Sequence, residues 1–139
     1  MYDVDLTIVG AGPAGISASL FAEGDGLKFK LVDKGIPCRF VEEVINTNFT
    51  NLENYLGLHD LTGTETAQIF RQHLTSRNIP VANEEIINIR SQENSFLITS
   101  NKGEYTSKTI ILATGTRPRR LKVQGIEKFS HRIHYGIYE

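Results

Sequence analysis

A short apolar run, Val4 to Val9, ends in Gly10-Ala11-Gly12-Pro13-Ala14-Gly15, and a small, apolar stretch follows through Ala22. No other feature restricts the fold as much. Strand, glycine-rich turn and helix, in that order, make a β–turn–α unit. Each glycine then has a geometric reason: Gly10 permits the tight turn, Gly12 lets the backbone approach a pyrophosphate, and Gly15 lets helix and strand pack closely. The helix N-terminus meanwhile offers free N–H groups to an anion. Pro13 suits the first helical turn, where its missing N–H has no intrahelical partner to lose. Gly24-Asp25-Gly26 stops the helix, and Lys28 to Asp33 alternates as a second strand. Asp33 lies 23 positions after Gly10, near the spacing at which a carboxylate accepts hydrogen bonds from ribose hydroxyls. A turn that merely packs a helix on a sheet accounts for one or two of the glycines but not for this acid.

The rest of the chain continues the α/β pattern. Gly35 to Asp60 has no apolar period and is rich in asparagine, which is long for a loop in a compact domain and points to a functional or partly disordered segment. Thr62 and Glu65 are spaced as a capping box. Ala67, Phe70 and Leu74 then give a second helix one apolar face, and Asn78-Ile79-Pro80 ends it. Glu85 to Arg90 and Ser95 to Thr99 read as short strands, with Ser100 to Gly103 as the turn into a third around Tyr105. Thr109 to Ala113 is a continuous β-branched and apolar run, the pattern of a further strand covered on both faces. It leaves through Thr114-Gly115 into the basic run Arg117 to Lys122.

Composition removes several function classes. With 15 basic against 16 acidic residues and a net charge of -1, the chain has no global field to recruit nucleic acid or anionic lipid. No apolar run approaches the roughly 18 residues of a membrane span, and the first strand has neither a basic leader nor a cleavage-site pattern. A cytoplasmic location is expected. The one cysteine, Cys38, excludes an internal disulfide and a CxxC site and reads as an inert or surface thiol. His131 and His134 are spaced to share a helix face, but no third ligand accompanies them, so no metal site is assigned. The basic run reads as a solvated face. No residue has the surroundings of an acid, base or nucleophile, and none is assigned a catalytic role.

The chain resembles the N-terminal FAD-binding segment of the thioredoxin reductase family, within the two-dinucleotide-binding flavoproteins. The matching blocks are Asp5 to Gly15 (DLTIVGAGPAG), Leu31 to Gly35 (LVDKG), Glu53 to Gly57 (ENYLG), Leu61 to Phe70 (LTGTETAQIF) and Ile110 to Pro118 (IILATGTRP). They lie in family order, with a β-meander between the last two. The resemblance implies a Rossmann-type FAD-binding domain, α/β, with a parallel sheet and a β-meander excursion. It also implies that Gly10, Gly12, Pro13, Ala14 and Gly15 face the FAD pyrophosphate. Asp33 would hold the adenosine ribose with Lys34 beside it, Asn54 would lie near the flavin, and Thr114 and Gly115 would pass close to flavin or pyrophosphate.

The departures define what is carried over. Where the family has a glycine-glycine-glutamine segment along the flavin, this chain has Ile36 to Glu43. Where the redox cysteines would stand, it has Gly136-Ile137-Tyr138-Glu139, so dithiol–disulfide exchange is not expected of it. A second GxGxxG for NADPH and the family's closing FAD block are not found in these residues. The expected organisation is an FAD-binding segment over 1–120, followed by a tail or hinge over 121–139 toward a nicotinamide-binding domain. The expected function is the FAD-binding part of an NAD(P)H-linked flavin oxidoreductase, incomplete alone, completed by self-association or by a partner subunit. The alternatives are a non-catalytic flavin- or nucleotide-binding module completed by a partner subunit, and an NAD-binding Rossmann domain.

Overall fold

The computed structural model describes residues 2–39, 41–42, 51–53, 55–116, 119 and 121–133. The elements run β1 (Val4–Val9), α1 (Pro13–Gly24), β2 (Phe29–Asp33), α2 (Gly63–Ser76), β3 (Val81–Asn83), β4 (Ile86–Gln92), β5 (Ser95–Ser100) and β6 (Gly103–Leu112), with a 3-10 helix over Ile126–Arg132. Six strands form one sheet in the order β3-β2-β1-β6-β5-β4. β3, β2, β1 and β6 are mutually parallel, while β4, β5 and β6 form an antiparallel meander. This is the α/β architecture with a parallel sheet and a meander excursion.

Sequence explains most of these elements directly. β1 alternates Leu6 and Ile8 toward one face and Thr7 and Val9 toward the other, since successive side chains of a strand point to opposite faces. Leu6, Ile8 and Leu31 form the helix-side core with Ala11, Ile16 and Ala22 at and along α1, Ala67 and Leu74 of α2, and Ile79. α2 begins as its capping box requires: Glu65 N–H donates to Thr62 Oγ1 at 3.2 Å, and Thr62 N–H donates to Glu65 Oε2 at 2.9 Å. It ends with Asn78 at φ +54, the left-handed position that asparagine tolerates after a helix C-terminus. Ile79 N–H there donates to the Leu74 carbonyl at 3.0 Å.

Two features differ from the sequence reading. The segments around Tyr105 and Thr109–Ala113 are one ten-residue strand, β6, which changes partner midway. Ser107 pairs with Phe96 of β5 on one side and Val4 of β1 on the other; before it β6 pairs with β5, after it with β1. The second half of that strand is also not covered on both faces, because Ile111 is 39% and Leu112 66% exposed. β3 is the second difference. It has three residues, too few for any period to register, and it enters the sheet through its pairing with Leu31 to Asp33.

The meander folds back across the second face of the sheet. Lys30 of β2 pairs with Glu84, just past β3, at 2.9 Å, and its ammonium lies 4.1 Å from the centre of the Tyr105 ring on β6. Ser100 of β5 donates to the same Glu84 at 3.0 Å. β3 and β5 stand four places apart in the sheet order, so the clasp of Ser100 on Glu84 shows that the meander turns back over the parallel strands.

Candidate functional site

The site is built where three parallel strands end together. Gly10 N–H donates to the Val32 carbonyl at 2.7 Å, and Ala113 N–H donates to the Val9 carbonyl at 2.8 Å, which locks the exits of β1, β2 and β6 side by side. The three motif glycines are then sorted by what a side chain would meet. Gly10 sits at φ +104, and a Cβ there would run into the Ala113 carbonyl. A Cβ on Gly15 would run into the carbonyl oxygen of Gly10. These two glycines are required by the protein's own packing. Gly12 is different, because a Cβ there would meet nothing within 4 Å. No contact among the described residues explains its glycine.

The helix that starts at this turn is left open. α1 has Pro13 in its first turn and Gly12 as N-cap, with no side-chain cap hydrogen bond and no acidic residue in the first turn. α2 closes the same end with its own side chains. The first N–H groups of a helix have no intrahelical partner, so those of α1 face outward from the turn and carry the positive end of its dipole.

Asp33 points into the turn rather than to bulk solvent. Its Oδ2 accepts from Ala11 N–H at 2.6 Å and its Oδ1 from Gly35 N–H at 2.9 Å. A carboxylate has about four acceptor positions, so each oxygen keeps capacity for a hydroxyl. Lys34, beside it, turns its ammonium outward to Glu85 at 2.9 Å, with both side chains 56% exposed. Thr114 and Gly115 follow β6 out of the sheet; both are exposed, and Gly115 is at φ +70. The structure therefore brings Gly10, Gly12, Pro13, Gly15, Asp33 and Thr114 together where β1, β2 and β6 end, the position of the ligand crevice in open α/β sheets, with Ala14 exposed on the first turn of α1. Asn54 lies outside the described residues, as do Arg117, Pro118 and Arg120 of the basic run, His134 and the Gly136–Glu139 segment.

One contact that the sequence did not disclose completes the turn. Cys38 is buried, and its N–H donates to the Ala11 carbonyl at 3.0 Å while its Sγ lies 3.7 Å from the same oxygen. Burial pushes the thiol up to about 11, a shift that Arg71 opposes and Asp33 reinforces. Cys38 is thus a neutral packing residue, and no spacing or motif could have placed it under the glycine turn. Both polar groups of Ala11 are consumed within the chain. An open cavity of about 480 Å³ lies at the far end of β2 and β3, lined by Leu27, Phe29, Ile79 and Pro80. It is remote from this crevice, and Arg77 at its rim is paired with Glu23 at 2.7 Å.

Residues 4–136 match the profile of the pyridine nucleotide-disulphide oxidoreductases. The chain belongs to that family. A thioredoxin reductase of Ureaplasma parvum is 33% identical over 128 residues, which are 92% of this chain and 40% of that protein. A ferredoxin–NADP reductase of Streptococcus pneumoniae is 32% identical over 137 residues, 96% of this chain and 42% of that protein. Among solved structures, the thioredoxin reductase of T. acidophilum superimposes with a TM-score of 0.76 at 31% identity, covering 93% of this chain and 41% of that one. The chain thus spans about two-fifths of the length of these relatives and corresponds to the N-terminal, flavin-binding part of thioredoxin reductase-like proteins. Among the described residues no helix is long and apolar enough to cross a membrane.

Proposed function

We propose that this chain binds FAD at the β1–α1 turn and serves as the FAD-binding segment of an NAD(P)H-linked oxidoreductase of the thioredoxin reductase type. The observation that carries the reading is the pairing of an open Gly12 with an inward-facing Asp33. The backbone from Gly12 to Gly15 would hold the pyrophosphate on the open N-terminus of α1, where the amides and the dipole favour an anion. Asp33 would accept the adenosine ribose hydroxyls on its unused lone pairs. Thr114 and Gly115 would flank the diphosphate or flavin at the strand exit, with Asn54 on the flavin side and Lys34 at the rim near the ribose.

A carboxylate at the end of β2 suits any ribose with free hydroxyls, in FAD or NAD alike. The choice of FAD rests on family membership and on the ATG block that follows β6. When bound, FAD would supply hydride and electron transfer, and this segment would orient it and tune its electronics. NAD(P)H would enter through a further domain or a partner, with 1–120 as the FAD segment and 121–139 leading toward it. Exposure of Phe21 (75%), Ile111 and Leu112 (66%) favours self-association or a partner subunit.

Titration of the purified chain with FAD and with NADH, followed by flavin absorbance and fluorescence, tests the reading. Saturable FAD binding with quenching is expected. Saturable binding of NADH with none of FAD would replace it by the NAD-binding alternative.

A further inference from the structure

We infer that Arg71, on α2, is a positioning residue for the dinucleotide crevice, a role that rests on the flavin-binding reading. Its side chain leaves the helix toward the segment that follows β2. There Nε donates to the Pro37 carbonyl at 2.8 Å and Nη2 donates to Glu42 Oε2 at 2.7 Å. Pro37 is followed by Cys38, whose N–H holds the Ala11 carbonyl, and Ala11 N–H holds Asp33. One continuous path of directional contacts therefore runs from α2 through Arg71, Pro37-Cys38 and Ala11 to the carboxylate that would grip the ribose.

Two observations make Arg71 more than a surface ion pair. Cys38 stands at φ +59, a left-handed conformation that a side-chain-bearing residue holds only when its surroundings enforce it. The hydrogen bond to the preceding carbonyl, with Cys38 itself buried, supplies that enforcement. The second is the geometry of the donor. A guanidinium serves two acceptors at fixed angles through a planar fork, whereas an ammonium is a compact point charge. The pair with Glu42 is half-buried, at 30% and 33% side-chain exposure, so by itself it contributes little to global stability. The effect of Arg71 falls on the geometry of the wall beside Asp33.

Arg71→Met and Arg71→Lys, each in the 139-residue chain, are compared with the unaltered protein by two measurements. Amide hydrogen exchange at Ala11 and Cys38 without ligand reads the contact path, and FAD titration by flavin fluorescence reads the crevice. Arg71→Met is expected to speed exchange at Cys38 and to weaken FAD binding, each roughly tenfold, while far-UV circular dichroism still melts as one folded species. Arg71→Lys keeps the charge opposite Glu42 without the fork and should fall between the two, which also serves if the methionine variant does not fold. Unchanged Cys38 exchange, or unchanged FAD affinity in a protein that does bind FAD, overturns the proposal. An unaltered chain that binds no FAD overturns the flavin reading and the proposed role with it. Faster Cys38 exchange in Arg71→Met would then show that the contact path was real and the ligand was wrong.

Discussion

Gly12→Ala separates the part of the glycine motif that packs from the part that faces a ligand. Gly12 has φ -79 and ψ -175, an extended conformation open to alanine, and the added methyl meets no atom of the described residues within 4 Å. Restricting the unfolded chain favours the alanine variant by about 0.4–1 kcal/mol, whereas alanine is the poorer N-cap by a comparable amount, roughly 0.5–1 kcal/mol. The two offset, and ligand-free stability should change by less than about 1 kcal/mol. Gly15→Ala is the contrast. Its methyl would overlap the Gly10 carbonyl, a backbone atom held by the Gly10–Val32 hydrogen bond, so α1 must lift from β1. That strain should cost more than about 3 kcal/mol. Toward a pyrophosphate the order reverses, because the Gly12→Ala methyl stands where the phosphates approach the helix amides. Losing one charge-assisted bond of about 1.5–3 kcal/mol weakens FAD binding by about 10- to 100-fold. Urea unfolding monitored by circular dichroism gives the first quantity and fluorescence titration the second. A Gly12→Ala protein that binds FAD within threefold of the original would refute the placement of the pyrophosphate at this turn, whatever its stability.

Other outcomes follow from the same contacts. Asp33→Asn keeps the shape but offers an NH₂ to one of the two backbone donors at Ala11 and Gly35; it should lower ligand-free stability by about 2 kcal/mol in urea unfolding, and no loss would mean those bonds are not formed in solution. Cys38, with its thiol pushed up to about 11 by burial, should react with a thiol reagent at neutral pH only as fast as the chain unfolds; rapid labelling in the folded protein contradicts its placement. Hydrogen bonding from Lys30, aided by Ser100, holds the Glu84 carboxyl below its ordinary value of 4.5. A depressed folded-state value stabilises the fold above that pH and loses the contribution as pH falls further. Glu84→Gln should therefore flatten the decline of stability on the acid side of pH 4.5 in a pH series of melting temperatures, and an unchanged profile would remove the clasp from the account.

How much of this was legible depends on the range of the interaction. The β1–turn–α1 unit, the α2 capping box and the acid at the end of β2 are all written in spacings of 2 to 23 residues, and each stands where the spacing put it. What local pattern could not carry is pairing. β3 is too short for a period, and the change of partner at Ser107 lies inside a strand whose two halves look like separate runs. The contacts that shape the crevice wall are longer still. Cys38 to Ala11 spans 27 residues and Arg71 to Pro37 spans 34, and neither pair forms a motif. A lone arginine on an amphipathic helix is the commonest of surface features until the chain brings the Pro37 carbonyl beneath it.

The last strand shows the limit from the other side. Thr109 to Ala113 has the unbroken apolar character of a strand covered on both faces, yet Ile111 and Leu112 stand open and β5 pairs with β6 only as far as Ser107. The outer backbone edge of the following residues therefore has no strand beside it among the described residues. An exposed, apolar strand edge is a template for pairing with another chain, and α1 adds an exposed Phe21. The composition of β6 thus matches a buried setting that these described residues do not themselves provide. If that mismatch drives assembly, sedimentation should show mass rising with concentration, and Leu112→Lys should suppress the rise without loss of fold. A chain that sediments as a monomer at every concentration would mean that an apolar strand of this kind is tolerated in water, and the proposed assembly would fail with it.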